Sequence, residues 1–326
     1  MSETRYHWQV LRAGKFKLDA GSMFGLIPRS VWSRTVPTDE KNRIEVQHNC
    51  LLLRRESPSG PGPQIVLIEA GTGDKLDAKS RDIFELEETD IEKQVIAAGV
   101  DPAQIGAAVV SHLHFDHAGG LTRLVRPGEQ PEWTGPASGM AGSRPDHGVR
   151  RTFPNAMIIA QKREWSDALA NRSVMTRTYF ADHLAPLEGH LRLVDSPGPF
   201  APGTIVDRDA PPQLPQQARE TEVLPGIFVF RVPGHTWGQQ AVRFVGNDGR
   251  NIVFTPDVMP TAWHVGAAYS LGYDVEPYTS MVTRTWFLRE AAERGWTLVL
   301  DHEPGDPVRT VASNGKGWWE LRTLST

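Results

Sequence analysis

Residues 107–120 read AAVVSHLHFDHAGG, an apolar run that leads directly into His112, His114, Asp116 and His117. Imidazole and carboxylate suit a borderline or hard divalent ion, zinc first and manganese, iron or cobalt behind it. Side chains alternate along an extended segment, so His112 and His114 project to the same side and converge on one point. Asp116 and His117 are adjacent and can share a point only if the chain turns there, and Gly119-Gly120 offers a permissive turn. With 11 histidines in 326 residues, so dense a cluster is improbable by chance. It reads as a metal site, with the turned pair facing a second ion.

The elements that must position these groups are short. Apolar runs at 49–53, 65–69, 107–110, 157–160, 227–232, 240–245, 252–255 and 297–300, with a shorter one at Val10-Leu11, are bounded by Gly, Pro, Asp or Asn, which is strand punctuation. Helices are expected over 90–98, 161–170 and 279–294, the last with apolar residues near a 3.6-residue period. Strands alternate with helices and are apolar enough to be covered on both faces, so the fold class is layered α/β. Two segments break the pattern, at about 126–153 and 195–225, both rich in Pro, Gly and polar residues without periodicity. Loops of this length are usually functional or disordered, and these are expected to be lids or pocket walls inserted into a single domain spanning 1–326. Trp133, Phe153 and Arg150-Arg151 are their candidate substrate contacts.

Composition narrows the function classes. The chain is 39% hydrophobic and 23% charged, which is ordinary globular composition. Thirty-five Lys and Arg against 39 Asp and Glu give a net charge of −4, so no basic field is available for nucleic acid or an anionic membrane. One cysteine, Cys50, forms no internal disulfide and suits a reducing compartment. The opening MSETRYHWQVLRAG has no apolar signal core, and no stretch approaches the ~20 apolar residues of a membrane span. The expectation is a cytoplasmic protein whose partner is a small-molecule substrate, with neither nucleic acid nor membrane.

HLHFDH resembles the HxHxDH signature of the metallo-β-lactamase fold superfamily. Three further motifs match in the superfamily's chain order, each just after an apolar strand run. PGHTWGQ (233–239) offers His235, FTPDVMP (254–260) offers Asp257 and LVLDHEPGD (298–306) offers His302. The resemblance spans about 10–312 and implies a four-layer αβ/βα sandwich with two metal ions at one edge, between the sheets. It implies His112, His114 and His235 on one metal, Asp116, His117 and His302 on the other, and Asp257 bridging them. Two divalent ions, two carboxylates and one hydroxide sum to about +1, an electrophilic site matched to an anion developing on oxygen. Metal coordination lowers the pKa of water towards ~7, so the implied nucleophile is a metal-bound hydroxide. Asp257 would orient it and pass on a proton, with Asp116 the second catalytic carboxylate. His7, His48, His147, His183, His190 and His264 have no motif support and read as structural or solvated.

The N-terminal half points to a subgroup. GSMFGLIP (21–28) resembles the GxMFGxxP segment of lactonase-like members, with Met23 and Phe24 as pocket wall. IEAGTGDK (68–75) resembles their IDTGxG motif, with Glu69 replacing the aspartate that supports the ligand loop. Lactonase-like members place a tyrosine near the metals, and Tyr179, in RSVMTRTYFADHLAPL (172–187), is the candidate, a phenol able to donate to a substrate oxygen. The expected activity is hydrolysis of a lactone or carboxylic ester by a dinuclear zinc-type enzyme. Two alternatives stay open: hydrolysis of a phosphotriester or other phosphoester, and an iron-dependent dioxygenase of the same fold. The Met- and Phe-bearing N-terminal segment and ten tryptophans also offer apolar surface for a homodimer.

Overall fold

A computed structural model describes residues 4–57, 60–136, 146–174, 177–201, 203–205, 217–315 and 318–324. Strands β1 (Arg5–Asp19) and β2 (Arg43–Arg55) form a long antiparallel ribbon whose connection carries the short helices α1 (Ala20–Phe24) and α2 (Arg29–Trp32). Then come β3 (Ile65–Ile68), α3 (Ala78–Phe84), α4 (Ile91–Ala97), β4 (Ala107–Val109) and α5 (Phe115–Ala118). The middle of the chain holds β5 (Thr122–Leu124), β6 (Trp133–Pro136), β7 (Asp146–Arg151), β8 (Met157–Gln161), α6 (Lys162–Leu169), α7 (Ala181–Leu184) and β9 (Leu191–Val194). The C-terminal part holds β10 (Thr221–Leu224), β11 (Ile227–Arg231), β12 (Gln240–Gly246), β13 (Asn251–Thr255), α8 (Pro277–Glu293), β14 (Thr297–Leu300), β15 (Val308–Ser313) and β16 (Trp319–Thr323).

The main sheet runs β16-β15-β14-β13-β12-β1-β2-β3-β4-β8-β9, with β11 also pairing β12 and β10 pairing β11. The β3-β4, β4-β8, β8-β9 and β13-β14 pairs are parallel. Alternation along the strands explains the layers. Leu51, Leu53, Val66, Ile68, Val109 and Ile159 point inwards and meet Val229, Val242, Phe244, Ile252, Phe254 and Val299 in one core. Their neighbours Leu52, Leu67, Ala108 and Ile158 point the other way and are covered by Ile91 and Val95 of α4 and Trp165 and Ala168 of α6. Phe230, Ala241, Val253 and Leu298 likewise lie under Trp286, Phe287 and Ala291 of α8. Both faces of each half are therefore dry, and the αβ/βα sandwich follows. Each Leu, Val, Ile or Phe side chain so buried contributes about 1.5–3 kcal/mol.

The three expected helices are present, shifted by a residue or two. Asp90 caps α4 by accepting the Lys93 amide at 2.9 Å, the role a carboxylate plays before a first helical turn. The N-terminal ribbon is longer than its short apolar runs announced, because β1 alternates charged and buried residues and shifts register between Arg12 and Lys15. The 126–153 segment is not simply a loop: β6 and β7 join β5 in a separate three-stranded sheet, with 137–145 outside the described residues. These strands are short and half-exposed, so they leave no hydrophobic period to read. Of 195–225, residues 202 and 206–216 lie outside the described residues, and β10 closes the segment. Among the described residues, no helix is long and apolar enough to cross a membrane.

A fourth core sits apart from the sandwich. Phe16, Met23, Phe24, Trp32, Ile44, Val46 and Leu271 gather beside the β1-β2 ribbon. Phe24 stacks on Trp32 at 5.2 Å and on His264 at 5.1 Å, and His264 Nε2 is 2.8 Å from the Met23 carbonyl. His264 is thus a structural histidine that ties the N-terminal segment to the loop after β13.

Candidate metal centre

Every candidate ligand sits at or just beyond a strand end. The loop after β4 carries His112 and His114, and α5 turns Asp116 and His117 back towards them. Loops after β11, β13 and β14 bring His235, Asp257 and His302. The turn works differently from the expectation for Gly119-Gly120. Neither glycine has a positive φ, and their need is space: a Cβ would come within 2.3 Å of the Thr72 carbonyl at Gly119 and 2.1 Å of the Ala70 carbonyl at Gly120. Lys75, buried, donates to the carbonyls of Gly119 and Thr122 and holds this turn from beneath.

Two groups of ligand atoms result. His112, His114 and His235 form one, and His117, Asp257, Asp301 and His302 the other. His114 Nδ1 lies 3.0 Å from His235 Nε2, His117 Nε2 lies 3.2 Å from His302 Nε2, and Asp257 Oδ2 lies 3.0 Å from His235 Nε2 and 3.6 Å from His117 Nε2. Nitrogens 2.0–2.1 Å from a tetrahedral zinc stand about 3.3 Å apart, so these spacings are the edges of a coordination shell. His112 Nε2 and Asp257 Oδ1 are buried with no hydrogen-bond partner, a costly state that a cation would relieve. The donor set fits two divalent ions. Asp257 touches both groups, which is the bridging position. Asp116 stands slightly farther out, its Oδ2 3.7 Å from His302 Nε2 and 3.9 Å from His117 Nε2, and lines the cavity above.

The rings are held from behind. Ser111 Oγ is 3.0 Å from His112 Nδ1, Glu69 Oε2 3.1 Å from His117 Nδ1, Asp274 Oδ1 3.0 Å from His235 Nδ1 and the Gln47 carbonyl 3.0 Å from His302 Nδ1. Such partners fix ring orientation and leave Nε2 free for a metal. Glu69 also accepts the Ser111 amide, and it does so from a left-handed backbone, φ 67, that an L-residue adopts only under local constraint. Charges follow the same geometry. Burial and the neighbouring His117 push His112 down, while on His235 the carboxylates of Asp257 and Asp274 outweigh burial and lift it to about 10. Burial would raise Asp257, but His235 and His302 hold it well below the usual carboxylate range.

Three site residues escape sequence reasoning. Asp301 precedes His302 and its Oδ2 lies 3.9 Å from His117 Nδ1, on the ring edge that also bonds Glu69. Its place is behind His117, and burial followed by the charge of Asp257 holds it well above the usual carboxylate range. Glu164, at the start of α6, accepts the Leu113 amide at 3.0 Å, the Thr236 hydroxyl at 2.6 Å and the Tyr179 hydroxyl at 3.0 Å. It thereby joins the loop between His112 and His114 to the loop carrying His235. Nothing in the sequence distinguished it from a helix-terminal glutamate.

The third residue replaces an expectation. Tyr179 packs against His114, ring centroids 5.1 Å apart, but its hydroxyl is spent on Glu164 and it does not line the cavity over the metal ligands. Tyr273 does. That cavity, about 360 Å³, has His114, Asp116, His235, Asp257 and His302 in its floor and Leu18, Met23, Phe84, Phe115 and Leu271 among its walls. Burial pushes the Tyr273 phenol up to about 12, so it remains a hydrogen-bond donor. Met23 is wall, as expected, while Phe24 lies behind it in the aromatic stack. Neither of the two long segments contributes a described residue to this cavity. Phe153 is core, Arg150 faces Glu129, and Arg151 bonds Glu132 and the Pro154 carbonyl.

The sandwich, with its ligands gathered at one edge from both halves, defines the class of an α/β metal-dependent hydrolase fold. The sequence model of the metallo-beta-lactamase superfamily matches residues 43–302, and the chain belongs to that superfamily. Among solved structures, a probable metal-dependent hydrolase from Staphylococcus aureus is similar over 100% of both chains, with a TM-score of 0.71 and 21% identity. The hydrolase AbOPH, of the beta lactamase superfamily, matches with a TM-score of 0.68 and 17% identity, covering 100% of this chain and 99% of its own. AidC, a dizinc quorum-quenching lactonase, matches with a TM-score of 0.67 and 14% identity, covering 99% of this chain and 98% of its own. No curated protein matches the chain.

Proposed function

We propose that this protein is a dinuclear metallohydrolase that cleaves a lactone or carboxylic ester carrying an apolar acyl group. The observation that carries the reading is the cavity itself, a chamber of about 360 Å³ with a mostly apolar lining surface, the ligand cluster in its floor, and Lys17, Lys41, Arg43 and Arg177 also among its lining residues. His112, His114 and His235 would hold one divalent ion and Asp116, His117 and His302 the other, with Asp257 between them; zinc is the first choice for such donors. Ions held there supply Lewis acidity and a water acidic enough to attack near neutral pH.

The protein's own groups then divide the work. Leu18, Met23, Phe84 and Leu271 bind the acyl portion and exclude water from the floor. Tyr273, protonated, donates its O–H to the substrate carbonyl oxygen and stabilises the charge that gathers there during attack. Asp257 and Asp116 orient the attacking water, and the cavity-lining Asp116 carboxylate accepts its proton and returns it to the leaving alkoxide. The dizinc lactonase among the similar structures supports this choice of bond. The deciding experiment is acid release at constant pH from metal-loaded protein, across short- and long-chain lactones, aryl esters and a phosphotriester, with Asp257→Asn as control. Lactone or ester turnover lost in the control is the expected result. Turnover of the phosphotriester alone, or oxygen uptake without hydrolysis, would overturn the ester reading and leave the metal site standing.

A further inference from the structure

A second cavity, about 380 Å³, lies on the other side of the His235 loop and shares no lining residue with the first. Its walls include the guanidinium-bearing Arg163, Arg219 and Arg231, the aromatic Trp237 and Phe200 and, as the one acid among the described lining residues, Glu276. That acid is already engaged: one oxygen accepts the Trp237 indole N–H at 2.6 Å and the other the Thr279 hydroxyl at 2.6 Å. The arginines are less well matched. Arg163 is stacked over Trp237 at 4.9 Å and pairs with Asp167 at 2.6 Å, and Asp167 is shared with Arg172. Among the described residues Arg219 reaches the Gly198 carbonyl alone, at 3.4 Å. Arg231 donates to the Trp237 carbonyl, while its Nε is buried without a hydrogen-bond partner. Burial and the nearby Arg163 pull the Arg231 pKa below its ordinary value, with Asp195, Asp167 and Glu164 acting the other way, and the guanidinium stays charged near neutral pH.

Among the described residues, three guanidinium groups line this cavity, Arg163 matched by Asp167 and Arg231 incompletely bonded, while the one lining carboxylate is already engaged, so the cavity favours an anion. Guanidinium forks match tetrahedral oxyanions by paired N–H donors, and the two aromatic faces suit an organic body attached to the anion. We propose that this cavity is a binding site for a phosphate oxyanion, taken as the free ion or as the head of a phosphate monoester. The site shares no lining residue with the hydrolytic cavity, so its ligand sits apart from the reacting groups.

The test is calorimetric titration of the metal-loaded protein with inorganic phosphate and, separately, with phenyl phosphate. Saturable binding is expected, weakened about tenfold in Arg231→Gln and in Arg219→Gln, the loss expected for one charge-assisted hydrogen bond. Tighter binding of phenyl phosphate assigns the aromatic faces to the organic body, and equal binding assigns the site to the free ion. Arg219 is exposed, so its variant keeps the test decisive should Arg231→Gln misfold. Phosphate that does not bind the parent protein, or binds both variants as tightly as the parent because it sits on the metal ions, overturns the proposal.

Discussion

The floor and the wall of the hydrolytic cavity are held by different forces. In the floor, four of the five imidazoles meet a named partner: Glu69 behind His117, Asp274 behind His235, Ser111 behind His112 and the Gln47 carbonyl behind His302. In the wall, Met23 and Leu271 are held by packing, backed by Phe24 and Trp32, in a cluster of their own beside the β1-β2 ribbon. Directional bonds tolerate no change of residue type, whereas packing tolerates any shape of similar volume. The floor therefore fixes what reaction is possible, and the wall decides which molecule undergoes it.

Substitutions should separate the two regions by what they disturb. Asp257→Asn removes the group that touches both ligand clusters, and turnover should fall about 10³-fold or more, measured beside metal content per chain. Tyr273→Phe should cost kcat on the order of 10²-fold with KM little changed, whereas Tyr179→Phe should leave kcat near the parent and lower stability by about 1 kcal/mol. Equal losses in the two variants would erase the distinction drawn between the tyrosines. Asp274→Asn should weaken metal affinity roughly 10–100-fold, read by competition with a chromophoric chelator. Leu271→Ala, in the wall, should raise KM for long-chain esters about tenfold and leave short-chain kcat alone.

The smallest effect concerns Lys75 beneath the floor. Burial pulls its pKa from the ordinary 10.5 down to about 8. Between those values the unfolded chain binds the extra proton, so stability should rise as pH climbs from about 8 towards 10.5. The denaturation midpoint across that window measures it, and Lys75→Met should flatten the slope.

The same contrast explains what could be read from residues alone. The histidines and aspartates of the floor were legible because a metal demands those types at fixed spacing, and Glu69 because it occupies a recognisable place in its motif. Asp301 and Glu164 were not, because a carboxylate that bonds a backbone amide or backs an imidazole has no spacing rule of its own. The sandwich strands were legible from their apolar runs. The β1-β2 ribbon was read only in fragments, since its charged residues interrupt the runs, and β6 and β7 were missed because half-exposed short strands carry no period. Tyr179 was chosen on a loose motif match; Tyr273 reaches the cavity from a loop whose path depends on the packing of Leu271 against the N-terminal segment.

Glu164 has a mechanical meaning as well. One carboxylate takes its donors from residues 113 and 236, in loops that follow strands of the two different halves, so a single buried group ties the loop between His112 and His114 to the loop that carries His235. The two loops therefore behave as one body, and a displacement of either is passed to the other through that carboxylate.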